Sequence, residues 1–275
     1  MTRKLLLSDY HTHTHNSGDS TAPMKDMIES AISCGLSEIC FTEHMDLDFP
    51  ITESVPEGTF TLDIPAYTRE LFSYKEEYKD KITIKYGIEL GLQTQIVKEN
   101  TQILADNNFD FVIGSIHLLD HADPFYPEMW KGRDEEDVIR RYFVATLENI
   151  KAFTNFDVLG HLDYIVRYTP TKGAGYSYSK YKDEIDAILT FLAENGKGLD
   201  LNTKSLTRGG SQPNPNSEIL KRFNELGGRI ITFGSDAHNP EEVAGCFERA
   251  REIALECGFD SYYTFDKRQP FANPL

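Results

Sequence analysis

Residues 225–242 read ELGGRIITFGSDAHNPEE, and this stretch decides the fold class. Gly227 stands where a helix C-cap belongs. Residues 229–235 form a β-rich run whose IITF core offers no polar face, as expected of a strand covered on both sides. The run ends in Ser235-Asp236-Ala237-His238. Asn239-Pro240 then has the pattern of an N-cap followed by proline in the first helical turn. A helix end, a buried strand, a polar strand end and a helix start make one βα unit of a parallel sheet.

The rhythm recurs along the chain. Further β-rich runs cover 4–8, 38–42, 82–89, 109–117, 157–161 and 198–202. Helix-like stretches lie near 24–34, 66–80, 94–107, 134–152, 178–195, 215–227 and 240–257. Asn214-Pro215 repeats the helix-start pattern, and Gly196 and Gly258 repeat the C-cap. Seven such units in 275 residues predict a single domain over 1–275, a parallel barrel, with an open doubly wound sheet as its competitor. Two segments break the rhythm. Residues 45–65 and 118–133 are long, Pro- and Asp-rich connections, a length that usually serves function. The aromatic tail, 259–274, is expected to cross the barrel bottom.

Composition narrows the class. Hydrophobic residues make up 40% and charged residues 26%, which suits a globular chain and excludes disorder. No apolar run reaches the roughly 18 residues of a membrane span, and the start MTRKLLLSDYH is too short for a secretory signal, so a cytoplasmic location is expected. The 28 Lys+Arg against 44 Asp+Glu leave a net charge of −16, which disfavours nucleic acid as a partner. Cys34, Cys40, Cys246 and Cys257 form no CxxC pair and read as reduced thiols. Nothing here fixes an oligomeric state.

The eight histidines are not scattered. Every run but the sixth ends in residues that bind metals: Asp9-Tyr-His11-Thr-His13, Thr42-Glu43-His44, Gly87-Ile-Glu89, Gly114-Ser-Ile-His117, Gly160-His161-Leu-Asp163 and Ser235-Asp236-Ala-His238. Strand C-termini are where parallel α/β folds build their sites. Residues i and i+2 of a strand share a face, so His11 and His13 can aim together into a barrel mouth, and Asp236 and His238 can meet them. A pairing of His13 with His15 competes with that of His11 with His13. A mixed N/O set without thiolates suits Zn, Fe or Mn. Taken alone, His117 or His161 would be a hydrogen-bonded core residue, Glu89 a solvated charge and Asp19 an Asx-turn residue. Six coincidences at six strand ends argue otherwise. His15 and His121 lie outside the pattern.

The segments DYHTHT, TEH, GIEL, GSIH, GHLD and GSDAH resemble, in order, the motifs of the polymerase and histidinol phosphatase (PHP) family. GSIHLLD, VLGHLDYIVRY, LDLNTKSLTRGG and YYTFDKRQP are similar to its histidinol-phosphatase branch. The resemblance implies a distorted seven-stranded (β/α)7 TIM-like barrel and two to three divalent transition metals. His11, His13, Glu89 and Asp236 would hold the first metal. Glu89, bridging, with His117 and His161 would hold the second, and Asp19, His44 and His238 the third. Glu43 would support His44 from behind. The implied reaction is hydrolysis of L-histidinol phosphate, a small phosphomonoester of histidine biosynthesis, by in-line attack of a hydroxide shared between two metals. Glu89, Asp236 and His238 would be the catalytic residues, with a metal-bound water, Asp236 or His238 protonating the leaving alkoxide. Arg167 and Arg208, placed after runs five and six, would bind phosphate, for which a planar guanidinium is suited. Asp48, Asp120 or Trp130 of the long loops would meet the substrate's ammonium and imidazole. The alternatives are a PHP phosphoesterase of different range, an amidohydrolase-type barrel, and a metal-binding barrel without activity.

Overall fold

In the computed structural model, which describes residues 6–275, the seven expected runs form one sheet in the order β1-β2-β3-β4-β5-β6-β7, every pairing parallel. The strands are β1 (Ser8–Thr12), β2 (Glu38–Met45), β3 (Thr83–Gly91), β4 (Phe111–Ser115), β5 (Val158–Leu159), β6 (Gly198–Asn202) and β7 (Ile231–Gly234). Beyond the ends of β1 and β7, a Thr12–Ala237 bridge and two backbone bonds, Asp236 N–H to His11 O (2.7 Å) and His13 N–H to Ala237 O (2.9 Å), bring the sheet round on itself. The result is a distorted (β/α)7 barrel, not the open sheet.

The helices are α1 (Met24–Ser33), α2 (Ile64–Glu77), α3 (Val97–Asp106), α4 (Glu135–Ala152), α5 (Lys182–Glu194), the short α6 (Lys204–Thr207), α7 (Ser217–Glu225) and α8 (Phe247–Glu256). Apolar faces of α1, α4 and α5 supply Met27, Ile28, Phe143, Ile150, Ile188 and Leu192 to the core around the barrel. Gly196, Gly227 and Gly258 all carry positive φ just beyond α5, α7 and α8, as the C-cap reading requires. None of the helices is long and apolar enough to cross a membrane, among the described residues.

Several expected boundaries move. The first run was expected at 4–8; Lys4 and Leu5 lie outside the described residues, and the strand starts at Ser8 and carries the Asp-Tyr-His segment itself. The fifth run shrinks to Val158–Leu159 because the chain leaves the sheet at His161, which holds a left-handed φ of 22°. Asn214 is not an N-cap: Asn216 is, accepting from the Ile219 N–H at 3.1 Å, while Asn214 turns inward. Asn239-Pro240 opens only a single 3₁₀ turn, and α8 begins later, after Cys246.

The tail forms an antiparallel hairpin, β8 (Ser261–Asp266) and β9 (Gln269–Pro274). It closes the N-terminal end of the barrel, as expected. Phe265 joins Tyr10, Phe111, Ile113, Val158 and Cys40 in a separate small core. In the hairpin turn, Arg268 N–H donates to Asp110 O at 2.9 Å, and the Arg268 guanidinium pairs with Asp157, each acceptor standing just before a strand.

Candidate metal centre

The opposite end of the barrel holds the unusual residues. The alternation of β3 turns Glu89 inward, wholly buried. Its Oε1 lies 3.1 Å from His161 Nε2 and 3.3 Å from His117 Nε2. Its Oε2 lies 2.9 Å from His44 Nδ1, 3.3 Å from His11 Nε2 and 3.6 Å from His13 Nε2. Five imidazoles from four strand ends therefore divide between the two oxygens of one carboxylate. Ser115 donates to Oε1 at 2.6 Å and fixes the carboxylate plane. Gly160 makes room for that serine, since a Cβ there would stand 2.2 Å from Ser115 Oγ.

The remaining sequence candidates stand around this centre. Asp236 Oδ1 is 3.7 Å from His13 Nε2. Asp19 faces both His238 Nε2 (3.1 Å) and His44 Nε2 (3.6 Å). His11, His13 and Glu89 form one group able to share an ion, Glu89, His117 and His161 a second, and His13, His44 and His238 a third. Asp236 and His161 hold left-handed φ of 55° and 22°, strain of about 1–3 kcal/mol each kept at the site by the surrounding structure. His15 stays outside the centre, half-exposed beside Glu70, and His121 is exposed. The pairing of His11 with His13 is the one realised, with ring centroids 5.1 Å apart. Asp9 does not join them. A bulge between Asp9 and Thr12 breaks the alternation, and Asp9 instead accepts from the Ser235 and Ala244 amides at 2.9 and 3.0 Å, tying β1 to β7.

The residues fit a cation. His11 Nε2, His13 Nε2 and Glu89 Oε2 are buried without a hydrogen-bond partner, an arrangement that is costly unless something else satisfies them. Charges in the cluster interlock. Burial would push the Glu89 carboxyl up, yet His11, His117 and His44 hold it well below the usual carboxylate range. Burial would depress His117, yet Asp46 and Glu89 push it up to about 10. Burial, with His44 and His238 beside it, drives His13 well below an ordinary imidazole. His161 falls to about 4, again through burial, against the pull of Glu89.

Two carboxylates that sequence reasoning missed orient the rings. Asp200 Oδ2 lies 2.8 Å from His11 Nδ1, and Asp46 Oδ1 lies 2.8 Å from His117 Nδ1. A carboxylate only accepts, so each Nδ1 carries the hydrogen and each Nε2 faces the cluster. Glu43 acts from behind through Ser17: it accepts from Thr14 and Ser17, and Ser17 Oγ reaches both the His44 amide (3.0 Å) and, beyond the expectation, His13 Nδ1 (3.2 Å).

The cluster floors a cavity of about 460 Å³. Arg167 and Arg208 both line it. Arg167 is clamped by Asn202 Oδ1 (2.8 Å), Asn214 Oδ1 (3.0 Å) and Asp236 Oδ2 (3.2 Å). Arg208 is exposed at the mouth. Lys204, also missed, is buried and donates to Glu242 Oε2 (2.6 Å) and the Asp236 carbonyl (2.7 Å). The substrate-reading residues taken from the long loops are not at the cavity. Asp48 faces Gln95, Asp120 pairs with Arg141 on the surface, and Trp130 is buried with Nε1 on the Pro124 carbonyl.

The sequence model of the PHP domain matches residues 9–204. The chain belongs to the PHP domain family. Among curated PHP relatives, the histidinol-phosphatase of Lactococcus lactis is 34% identical over 94% of this chain and 93% of its own length. A probable histidinol-phosphatase of Clostridium acetobutylicum is 32% identical over 96% and 98%. The crystal structure of the Lactococcus lactis histidinol phosphate phosphatase, complexed with Zn, L-histidinol and phosphate, superposes with a TM-score of 0.89 at 33% identity, over 98% of this chain and 100% of that one. Membership of the PHP family sets aside the amidohydrolase alternative.

Proposed function

We propose that this PHP protein is a metal-dependent phosphomonoesterase that hydrolyses L-histidinol phosphate to L-histidinol and phosphate. The observation that carries the reading is Glu89, whose two oxygens share five imidazoles at the floor of a cavity walled by arginine. The similarity to histidinol-phosphatases over nearly the full chain supports the choice of substrate. Residues 1–275 are taken as one domain. A cytoplasmic setting suits the two exposed free thiols, Cys34 and Cys246, and the net charge of −16 argues against a nucleic-acid partner.

His11, His13, Glu89 and Asp236 would hold one cation, Glu89, His117 and His161 a second, and Asp19, His44 and His238 a third, with Zn, Fe or Mn suited to the donors. Two to three such cations supply Lewis acidity toward phosphoryl oxygens and a hydroxide nucleophile at neutral pH. The chain's own residues supply the rest. Arg167 is held rigid by three acceptors, so it neutralises phosphoryl charge without reorganising as that charge develops. Arg208 adds a second guanidinium from the rim. Burial would raise the Asp236 carboxyl, but His11, Arg167 and His238 hold it well below the carboxylate range, so it stays ionised and is no acid for the leaving group. His238 donates Nδ1–H to the Asp236 carbonyl (2.9 Å), which leaves Nε2 as a ligand atom beside Asp19. Both residues are read as members of the cluster, and water entering the open mouth protonates the leaving oxygen.

Phosphate release tests this directly. Protein reconstituted with Zn or Mn should hydrolyse L-histidinol phosphate with kcat/KM at least about 100-fold above phenyl phosphate, and chelation should abolish both activities. Equal rates on the two esters would refute the substrate assignment, and full activity after chelation would refute the metal requirement.

A further inference from the structure

Arg167 is held by acceptors whose own direction is fixed. A primary amide has an oxygen on one side and an NH2 on the other, so an asparagine supports a guanidinium in only one of its two orientations. Asn202, at the end of β6, donates its NH2 to Asp200 Oδ2 and Asp236 Oδ2, both at 3.2 Å, and so turns its Oδ1 toward Arg167 Nη2. Asn214 donates its NH2 to Asp163 Oδ1 at 2.7 Å, and so turns its Oδ1 toward Arg167 Nε. Paired backbone bonds tie the two asparagines together, Asn202 N–H to Asn214 O at 2.9 Å and Asn214 N–H to Asn202 O at 3.0 Å. Among the described residues these contacts leave one N–H uncommitted on each terminal nitrogen of Arg167, a side chain that lines the cavity.

Asp163 is the far end of this chain of bonds. It follows the cluster residue His161 by two positions, yet among the described residues it stands outside every group able to share an ion, and it does not line the cavity. Only 1% of its surface is exposed. A carboxylate out of water is costly unless its oxygens are satisfied. Both are in use: Oδ1 takes the Asn214 NH2, and Oδ2 takes the Asn216 N–H at 3.1 Å and the Tyr176 hydroxyl at 3.5 Å. Asp163 also stands directly before the 3₁₀ turn Tyr164–Tyr168 that carries Arg167. Carboxylate and guanidinium thus flank one turn and are joined through the asparagine amide.

We infer that Asp163 is a positioning residue: through Asn214 it sets the direction of the Arg167 guanidinium against the phosphoryl group. The inference rests on reading the cavity as a phosphomonoesterase site with Arg167 on the phosphate. Without the carboxylate nothing holds the Asn214 amide in its orientation, and turned over it presents NH2 to the Arg167 Nε–H, donor against donor. Arg167 then keeps only Asn202 and Asp236, and loses the alignment that lets it meet phosphoryl charge without reorganising. Asparagine cannot stand in for Asp163, because it offers one acceptor oxygen where two are in use.

A double-mutant cycle joining Asp163→Asn to Arg167→Ala tests the relay, read by phosphate release from L-histidinol phosphate and from phenyl phosphate with zinc-loaded protein. With Arg167 present, Asp163→Asn should lower kcat about 10–100-fold on both esters, which share the phosphate, and leave KM within about threefold. In the Arg167→Ala background the same change should cost less than about twofold. Bound zinc, measured by elemental analysis, should equal that of the unsubstituted protein. An equal loss in both backgrounds, no loss in either, or a loss of zinc would each overturn the inference, since Asp163 would then act on the fold or on His161 and not on Arg167. If Asp163→Asn shows no cooperative thermal melt, Asn214→Ala, which cuts the relay at its middle, replaces it in the cycle with the same expected results. Equal hydrolysis of the two esters by the unsubstituted protein defeats the substrate assignment alone, and the cycle on phenyl phosphate still decides the role of Asp163. Hydrolysis of neither ester defeats the phosphomonoesterase reading, and the inference falls with it.

Discussion

His117 and His161 meet the same oxygen of Glu89 yet titrate in opposite directions, because their second neighbours differ. His117 has Asp46 behind it and is pushed up to about 10, whereas His161 has no such carboxylate and burial takes it to about 4. The signs give a pH window for the metal-free protein. His117 is raised above its ordinary 6.5, so it contributes stability that is whole below 6.5 and lost as pH rises toward 10. His161 is depressed from 6.5, so stability falls as pH drops from 6.5 toward 4. Urea midpoints of chelated protein should therefore peak between these limbs, near 6.5, the alkaline limb worth on the order of 5 kcal/mol and the acid limb on the order of 3 kcal/mol. Saturating zinc should flatten the alkaline limb, since a ligand imidazole has no proton to lose there. A midpoint flat with pH in chelated protein would contradict the charge assignment. Most of the cluster was legible as residues because strand ends can be read from a period of two. Asp200 was equally available, since L-D-L-N in β6 puts Asp200 and Asn202 on one face, but no histidine marked that run. Asp46 and Lys204 lie in loop and short-helix positions that no period announces.

Among the elements, the β8–β9 hairpin and β1 are bound by one side chain. Tyr10 Oη accepts the Phe265 N–H at 2.8 Å and has Glu38 as its acceptor. Both groups are far in sequence and sit at the end of the barrel away from the cluster. Tyr10→Phe leaves the buried Phe265 amide unpaired and should cost about 1–3 kcal/mol in urea unfolding, with kcat unchanged. A loss of activity without a loss of stability would contradict the purely structural role given to this hairpin. The tail's docking was legible from its aromatic residues, but its strand pairing was not, because each half is short and only the partner strand buries it. Helix starts at Asn214 and Asn239 misled for a related reason. Asn-Pro marks a chain reversal in either setting, and tertiary contacts decide whether a helix follows: Asn214 is drawn inward by Asp163 and Arg167.

Across the whole molecule, the two ends of the barrel divide labour. The hairpin end is closed by Tyr10, Phe111 and Phe265, and the other end carries the cluster, the arginines and the aromatic wall. The division follows from the parallel sheet, which presents every strand C-terminus to one side. That is why recurring polar strand ends disclosed the architecture and the location of the site together, while the cavity walls, built by loops of irregular backbone, did not show their partners in sequence. The account turns on Glu89 as the shared ligand of at least two cations. Diffraction data at the zinc absorption edge, from crystals grown with zinc, test it most directly. The account predicts anomalous peaks on both sides of the Glu89 carboxylate, one toward His117 and His161 and one toward His11 and His13. Peaks confined to the protein surface, or none within bonding reach of Glu89, would contradict it.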